Sequence, residues 1–295
     1  MRRFKGKLFV GLSYISALIV VLSLFGIIGT IGYNAIPYMT LDFLLTPESE
    51  VPGFGGGIAN AIAGTILLAI FSPAIAAPMA IGTAIYLKKY ARDSFLVRSV
   101  SFLLDVLSGT PSIVLGMFGL VFLALYMRYF TGGMSLLSAT IALAILVLPV
   151  IERATENALD SVPAELEEAS YAMGATKWET ITKITVPCAL SGILTGILLS
   201  TGRAAEESAV VILTASYSQF FPDLRVLPNK DLIFGLEIYP FQERIGALPI
   251  TVYHGFEFPH LVSPSESYAA SFTLILIVML INLGTRLLLR RRKIG

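Results

Sequence analysis

The chain alternates long apolar runs with short charged ones. Residues 8–31, 58–87, 101–127, 134–151, 189–216 and 268–289 are apolar almost throughout. Each is close to or above the ~20 residues of one bilayer crossing, so the pattern predicts six transmembrane helices. The first run is longer than a signal-peptide core and lacks a small-x-small cleavage site, so it is expected to remain as a span. The second contains Pro73 and Pro78 and exceeds one crossing, which predicts a tilt or a kink. The third contains Ser108-Gly-Thr-Pro-Ser-Ile-Val-Leu-Gly116. Glycine and proline there break the helix, and a break at membrane depth is tolerated where it lines a cavity. Residues 128–133 read as a tight turn.

The connections differ in kind. In 152–188, Leu159, Val162, Leu166, Ala169 and Met173 recur at steps of three and four, one stripe of an amphipathic helix. Pro163 suits a first turn, and Glu165, Glu167 and Glu168 suit the positive end of a helix. Gly174 stops that helix in a C′ role. Thr176-Lys-Trp-Glu179 is a capping box that starts a second short helix with Trp178, Ile181 and Ile184 on its apolar face. Pro187 is expected to end it. The loop 217–267 is rich in aromatics, among them Tyr217, Phe220, Phe221, Tyr239, Phe241, Tyr253, Phe256 and Phe258. They suit either an interfacial belt or a surface that receives a partner. The run Gly53-Phe-Gly-Gly-Gly57 reads as a flexible approach to the second span. It lacks the Gly-Lys-Ser/Thr end of a nucleotide loop, and no such motif occurs elsewhere, so the chain is not expected to bind ATP itself.

Composition agrees with a membrane protein: 55% of the 295 residues are hydrophobic and 14% are charged. The net charge of +1 gives no reason to expect a nucleic-acid partner. The single cysteine, Cys188, excludes an internal disulfide and is expected to be a buried small apolar residue. His254 and His260 make no metal cluster, and neither a metal nor a cofactor is expected. The cations are unevenly placed. Arg2, Arg3, Lys5 and Lys7 precede the first run, and Lys88, Lys89, Arg92 and Arg98 follow the second. Arg153, Lys177 and Lys183 lie in 152–188, and Arg286, Arg290, Arg291, Arg292 and Lys293 are at the end. The other side keeps Arg128, Arg225, Lys230 and Arg244. By the positive-inside rule both termini and the loop 152–188 face the cytoplasm.

The fifth run contains Thr201-Gly-Arg203-Ala-Ala-Glu206-Glu207-Ser208. A charge at membrane depth is costly, so it faces a pathway or a partner. Arg203 and Glu207 are i,i+4 and can pair on one face. They read either as a structural ion pair or as a site in which Arg203 offers a planar fork of donors to a tetrahedral oxyanion and Glu207 balances it. Asp105 reads either as an interfacial carboxylate capping the broken third span or as a pathway residue. No paired histidine and carboxylate set or activated nucleophile supports an enzyme. A self-contained ion-coupled transporter is a further alternative, but the two halves show no inverted repeat.

Two resemblances sharpen this. Glu168-Ala169-x4-Gly174-x9-Ile184-x2-Pro187 resembles the EAA loop of ABC-importer permeases, E-A-A-x3-G-x9-I-x-L-P. Ser170 replaces the second alanine and Val186 the leucine. The resemblance implies an all-α integral membrane protein of six transmembrane helices with the type I importer permease fold. It also implies a loop that docks on a cytoplasmic ATPase, with Glu168, Ala169, Gly174, Ile184 and Pro187 in the coupling role. Gly-Arg203-Ala-x-x-Glu207-Ser resembles the G-R-A-x-G-E-T stretch of phosphate-importer permeases, and Pro111-Ser-Ile-Val-x-Gly116 their P-S-I-V-x-G segment. Ala84-Ile-Tyr-Leu87 and Ala247-Leu-Pro-Ile250-x-x-Tyr253 also fit, the latter as in PstA-type subunits. This implies a phosphate permease of the cell (inner) membrane whose pathway includes Arg203, Glu207, Ser208, Pro111, Ser112 and Asp105. Its implied partners are a PstC-type second permease, a homodimeric ATP-binding subunit that hydrolyses ATP, and an extracytoplasmic phosphate-binding protein received by the loop 217–267. The chain departs from that pattern at Glu206, where the family has glycine, and at Ser208 for threonine. Sulfate or molybdate remains the alternative substrate.

Overall fold

A computed structural model describes residues 2–48, 56–91, 94–232, 235–260 and 262–292. Helices dominate. They are α1 (Arg2–Ala35), α2 (Leu41–Leu45), α3 (Ala59–Ile85), α4 (Phe95–Gly109), α5 (Ser112–Phe118), α6 (Arg128–Thr131) and α7 (Leu136–Asp160). Then come α8 (Ala164–Ala172), α9 (Lys177–Thr180), α10 (Val186–Glu206), α11 (Ala209–Thr214), α12 (Leu248–Glu257) and α13 (Pro264–Arg292). Among the described residues the strands are β1 (Val226–Pro228) and β2 (Leu236–Ile238), an antiparallel hairpin.

Five stretches are single helices long and apolar enough to cross a bilayer: Phe9–Tyr38, Ala59–Tyr90, Leu136–Asp160, Lys177–Glu206 and Pro264–Gly284. A further apolar stretch is a bent pair, which makes a sixth crossing if counted as one span. Phe95–Gly109 and Ser112–Tyr126 meet at 107° around Thr110 and Pro111. Pro111 sets the N-cap of α5 with an extended ψ of 135°. Proline also disfavours helical backbone in Thr110 before it, whose ψ is 130°. Pro73 and Pro78, by contrast, lie inside an unbroken α3. The Gly53–Gly57 run falls largely outside the described residues. Gly57 itself is held against Thr46, where a Cβ would lie 2.2 Å from the carbonyl oxygen.

Helix α7 is the centre of the packing. Its Leu136, Leu143, Val147 and Ile151 are fully buried in a cluster with residues of α3, α10 and α11. Close approach to α10 is made by small residues. A Cβ on Gly192 or Gly196 would sit 2.5 Å from the Cβ of Ala158 or Ala154. Such small-xxx-small contacts let helices associate in lipid, where apolar burial alone gives no preference for a protein neighbour. A second cluster joins α1, α12 and α13 through Ala35, Leu248, Ala269 and Ala270.

The segment read as the long loop 217–267 contains packed structure. The Ser135, Leu136 and Leu137 N–H groups at the start of α7 have no intrahelical partner, as at any helix N-terminus. They donate to the carbonyls of Thr214, Glu243 and Phe241 at 3.0, 2.8 and 2.7 Å. The Leu248 N–H donates to Thr65 Oγ1 at 2.9 Å, and Asn60 Nδ2 to the Ser218 carbonyl at 2.9 Å. Cys188 is exposed, contrary to the buried position expected of it. It lies in the first turn of α10 beside the likewise exposed Pro187.

Where α3 meets this segment, a Cβ on Gly64 would lie 1.9 Å from the Gly246 carbonyl oxygen and 2.8 Å from Ile245. The obstacle is backbone and cannot swing aside. Gly64→Ala is therefore expected to destabilise by roughly 2 kcal/mol or more, the range of overpacked cores. Gly82→Ala in the same helix meets nothing within 4 Å and is expected to be neutral or slightly stabilising. Thermal unfolding of the purified transporter carrying either variant checks the contrast.

Candidate functional site

Helix α10 stops at Glu206 because Glu207 turns to extended backbone (φ −76°, ψ 120°), and α11 begins two residues later. Glu207 serves both sides of this break. Its Oε1 accepts the Ala209 N–H at 3.2 Å, satisfying a donor at the start of α11. Its Oε2 lies 3.3 Å from the Arg203 guanidinium. The Glu207 side chain is 6% exposed, whereas Arg203 is 53% exposed. The pair thus has a buried acidic end and an open basic end. Glu206 and Ser208 are also exposed.

The second break lies alongside. A Cβ on Gly116 would sit 2.8 Å from the Ala209 carbonyl oxygen and 2.9 Å from Leu213. One on Gly119 would sit 2.5 Å from Thr214. α5 and α11 therefore run the same way in direct backbone contact. Their N-terminal ends, marked by Ser112 and Ala209, are offset by about one helical turn. Pro111 is exposed and Ser112 half-buried. Asp105 lies on the far side of the 107° bend. Its carboxylate pairs with Arg153 of α7 at 2.5 Å, and Arg153 also reaches Glu156 at 2.6 Å and Glu152 at 3.7 Å. Asp105 is thus fastened to α7 by a charge cluster that the sequence reading did not assemble.

The other sequence-marked region is 152–188. The stripe predicted from Leu159 to Met173 is divided, because α7 ends at Asp160 and α8 starts after Pro163. Leu159 is buried, but Leu166 is 43% and Met173 88% exposed, and α8 has no buried residue. Gly174 takes φ +84° and lets the chain reverse. The capping box forms: Thr176 Oγ1 accepts the Glu179 N–H, and Glu179 accepts the Thr176 N–H at 3.0 Å. Pro187 does not end the helix. Residues Ile181–Thr185 form a π turn in which the Val186 N–H reaches the Ile181 carbonyl. That wider turn makes room for the proline ring and needs no N–H from it, so the helix continues from Lys177 to Glu206. Ile184 is half-buried, while Glu168 and Ala169 are exposed.

The family model described as "Binding-protein-dependent transport system inner membrane component" matches residues 76–293. The chain belongs to this family of membrane permeases. The phosphate transport system permease protein PstA of Yersinia pestis is 36% identical over 84% of this chain and 77% of its own length. PstA of Haemophilus influenzae is 31% identical over 99% and 96%. A solved bacterial ABC transporter involved in import of the acidic polysaccharide alginate superposes with a TM-score of 0.67 at 17% identity, covering 99% of each chain, a likeness of fold. The type I importer permease fold follows, as does a role as the transport subunit of an ABC importer that works with further permease and ATPase subunits.

In this permease the loop hangs from the body by contacts that the sequence reading missed. Glu167, next to the motif residue Glu168, accepts from Lys89 Nζ at 2.5 Å and from Thr185 Oγ1 at 2.8 Å. Ser170 and Thr180 hydroxyls share a hydrogen bond at 2.9 Å, and Lys88 pairs with Asp160 at 2.7 Å. The paired lysines after the second run facing a loop of three glutamates were the available signal. Burial pushes the Glu167 carboxyl up. The bonds from Lys89 and Thr185, with the charges of Lys89 and Lys177, outweigh it and leave the group below the usual carboxylate range. A lowered native pKa means that this stabilisation is full above the ordinary glutamate range and is lost as pH falls through the lowered value. Glu167→Gln should therefore speed amide hydrogen exchange in α8 at neutral pH, by roughly the 1.5–3 kcal/mol of a charged hydrogen bond. In the unsubstituted protein the same acceleration should appear only in acid, and exchange mass spectrometry over a pH series checks both.

Proposed function

We propose that the chain is the PstA-type permease subunit of an ATP-driven importer of inorganic phosphate. The carrying observation is the open Arg203 guanidinium, placed in the last turn of a membrane-crossing helix at its break from α11 and held from behind by buried Glu207. An arginine at the centre of a span costs roughly 2.5–3.5 kcal/mol on insertion scales, so an open one needs a wet path or a partner. A planar fork of donors suits a tetrahedral oxyanion. The names of the relatives point to phosphate among oxyanions. The channel would form with a PstC-type second permease, and Arg203, Ser208, Pro111 and Ser112 would border it.

On this reading both termini and the loop 152–188 face the cytoplasm, as the cation asymmetry suggests. Exposed Leu166, Met173 and Trp178 would then dock on a homodimeric ATPase that supplies the hydrolysis. Glu168, Ala169 and Gly174 would shape that docking surface. An extracytoplasmic phosphate-binding protein would deliver substrate to the face that carries the β1–β2 hairpin. The exposed Glu206 stands where the phosphate-permease pattern has glycine, and that departure keeps sulfate or molybdate as the alternative substrate.

The test is uptake of labelled phosphate by the reconstituted transporter, with sulfate and molybdate as competitors and recovery of the ATPase as the assembly control. Arg203→Gln should abolish uptake with the complex intact, and Arg203→Lys should lose most of it, since a point charge does not replace a fork. Glu206→Gly should keep most activity. Normal uptake in Arg203→Gln would make the pair a structural bridge, and inhibition by sulfate or molybdate in preference to phosphate would change the substrate. Separately, Gly174→Pro should uncouple ATP hydrolysis from uptake while membrane insertion survives, because proline cannot adopt the φ of +84° found there. Transport at the normal rate in that variant would remove the loop from the coupling role.

A further inference from the structure

A small cavity of about 10 Å³ lies where the segment after α2 meets α12 and the start of α13. That is room for about one water-sized body. Its polar wall is Glu48, Glu266, Ser267, Tyr217 and His254. Glu48 is 4% and Ser267 1% exposed. Glu48 Oε2, Glu266 Oε2 and Ser267 Oγ are buried and have no hydrogen-bond partner among the described residues. Both acids are otherwise held in place. Glu48 is bonded to the Tyr217 hydroxyl, and Glu266 to the Gly56 N–H.

Buried carboxylate oxygens without donors are costly, and two beside one cavity repel each other. Among the described residues no lysine or arginine lines the cavity, and the connecting residues 49–55, SEVPGFG, contain none in sequence. Among the lining side chains His254, whose ring lies 4.5 Å from that of Tyr217, is the one able to carry positive charge. A water could donate to both acids but would leave their facing charges uncompensated. Oxygen donors with anionic charge are instead the set that hard cations prefer. Among the described residues no three His, Cys, Asp or Glu side chains are grouped as a metal site. The donors here are two carboxylates completed by a hydroxyl.

We propose that this cavity binds one small hard cation, Na⁺ or Ca²⁺, between Glu48 Oε2, Glu266 Oε2 and Ser267 Oγ. The ion ties the segment before α3 to the start of α13. Ile58, beside the site, and Phe43 of α2 belong to the cluster that joins α1, α12 and α13, so the ion locks that half of the subunit.

The experiment uses the assembled transporter in detergent, dialysed with chelator into choline chloride. Thermal unfolding is followed as NaCl or CaCl₂ replaces choline chloride at constant ionic strength. One of the two ions should raise the midpoint by a few degrees and saturate, which also says which ion the site takes. Glu48→Gln and Glu266→Gln should each weaken that response at least tenfold. Both should unfold at a higher temperature than the unsubstituted protein in choline, because a buried repulsion is gone. Asp231→Asn, outside the cavity, should respond as the unsubstituted protein does. Superimposable curves in all three salts, or a response that survives both glutamate substitutions, would overturn the site and leave the cavity to water. Should either variant fail to assemble, equilibrium dialysis of the unsubstituted transporter with ²²Na⁺ or ⁴⁵Ca²⁺ decides, and binding well below one ion per subunit overturns the proposal.

Discussion

The direct backbone contact of α5 with α11 is the constraint on which the proposed transport face rests. Among the described residues the helical backbone is interrupted at Thr110–Pro111, within a bent pair of apolar helices, and at Glu207–Ser208, between α10 and α11. Broken backbone at membrane depth must find partners within the protein. Some are local: Thr110 donates back to the Val106 and Leu107 carbonyls at 2.8 and 3.2 Å, and Glu207 receives Ala209. The remainder is a packing problem. Each short helix has too few turns to stand alone, and the pair leans on α7 as a unit. Glycine at 116 and 119 makes that possible, because any side chain would occupy the space of Ala209 or Thr214. With the pair fixed, α10 must stop where it does, and Arg203 is left projecting from its last turn.

The other end of α10 leads to the loop. From Lys177 to Glu206 the backbone is one helical stretch of 30 residues, about 45 Å long. A single element therefore touches both the exposed loop and the Arg203 break. No chain of side-chain relays is needed to connect them, and a tilt at one end is a displacement at the other. The weak place in that rod is the π turn at Ile181–Thr185, where hydrogen bonds are less favourable than in an α-helix. It is also where Glu167 of α8 takes hold of the rod through Thr185. The loop is consequently light in core and heavy in polar anchors. Such a segment can move with a partner without uncovering an apolar interior.

How much of this could be read in advance follows from the range of the forces involved. The apolar runs, the bend at Pro111, the turn at Gly174 and the capping box at Thr176 depend on a few neighbouring residues and on lipid as solvent, and they stand in the sequence. The continuation of the helix through Pro187 does not, because a missing N–H predicts a stop only if no wider turn can absorb it. The choice of Glu167 over Glu168 as the anchor was hidden for a similar reason. Both suit a helix N-terminus, and only the position of Lys89 on another helix separates them. The exposure of Cys188 and Met173 depends on what packs beside them, which local periodicity cannot supply. α12 was hidden within a loop rich in proline and aromatics, although Leu248, Pro249 and Ile250 are among its buried residues. Arg203 and Glu207 were legible as a pair, but their unequal burial was not.

That inequality bears on what the proposed pathway can do. The ion pair is a single contact at 3.3 Å, longer than the 2.7–2.9 Å of a strong charge-assisted bond. Half-exposed Arg203 carries five N–H donors, and its one ion pair among the described residues, with Glu207, engages a single guanidinium nitrogen. Glu207 is fixed by its second duty to Ala209, so it cannot follow the arginine outward. An arriving oxyanion can thus gain two parallel bonds from the guanidinium without expelling the carboxylate. The carboxylate in turn sets a limit: its negative charge sits within one side-chain length of the anion and opposes a long stay. Glu206, exposed beside it, acts in the same direction. A binding protein that captures substrate tightly has the opposite requirement. A pathway residue needs attraction sufficient for the ion to arrive and repulsion sufficient for it to leave, and an open arginine backed by a buried glutamate has both.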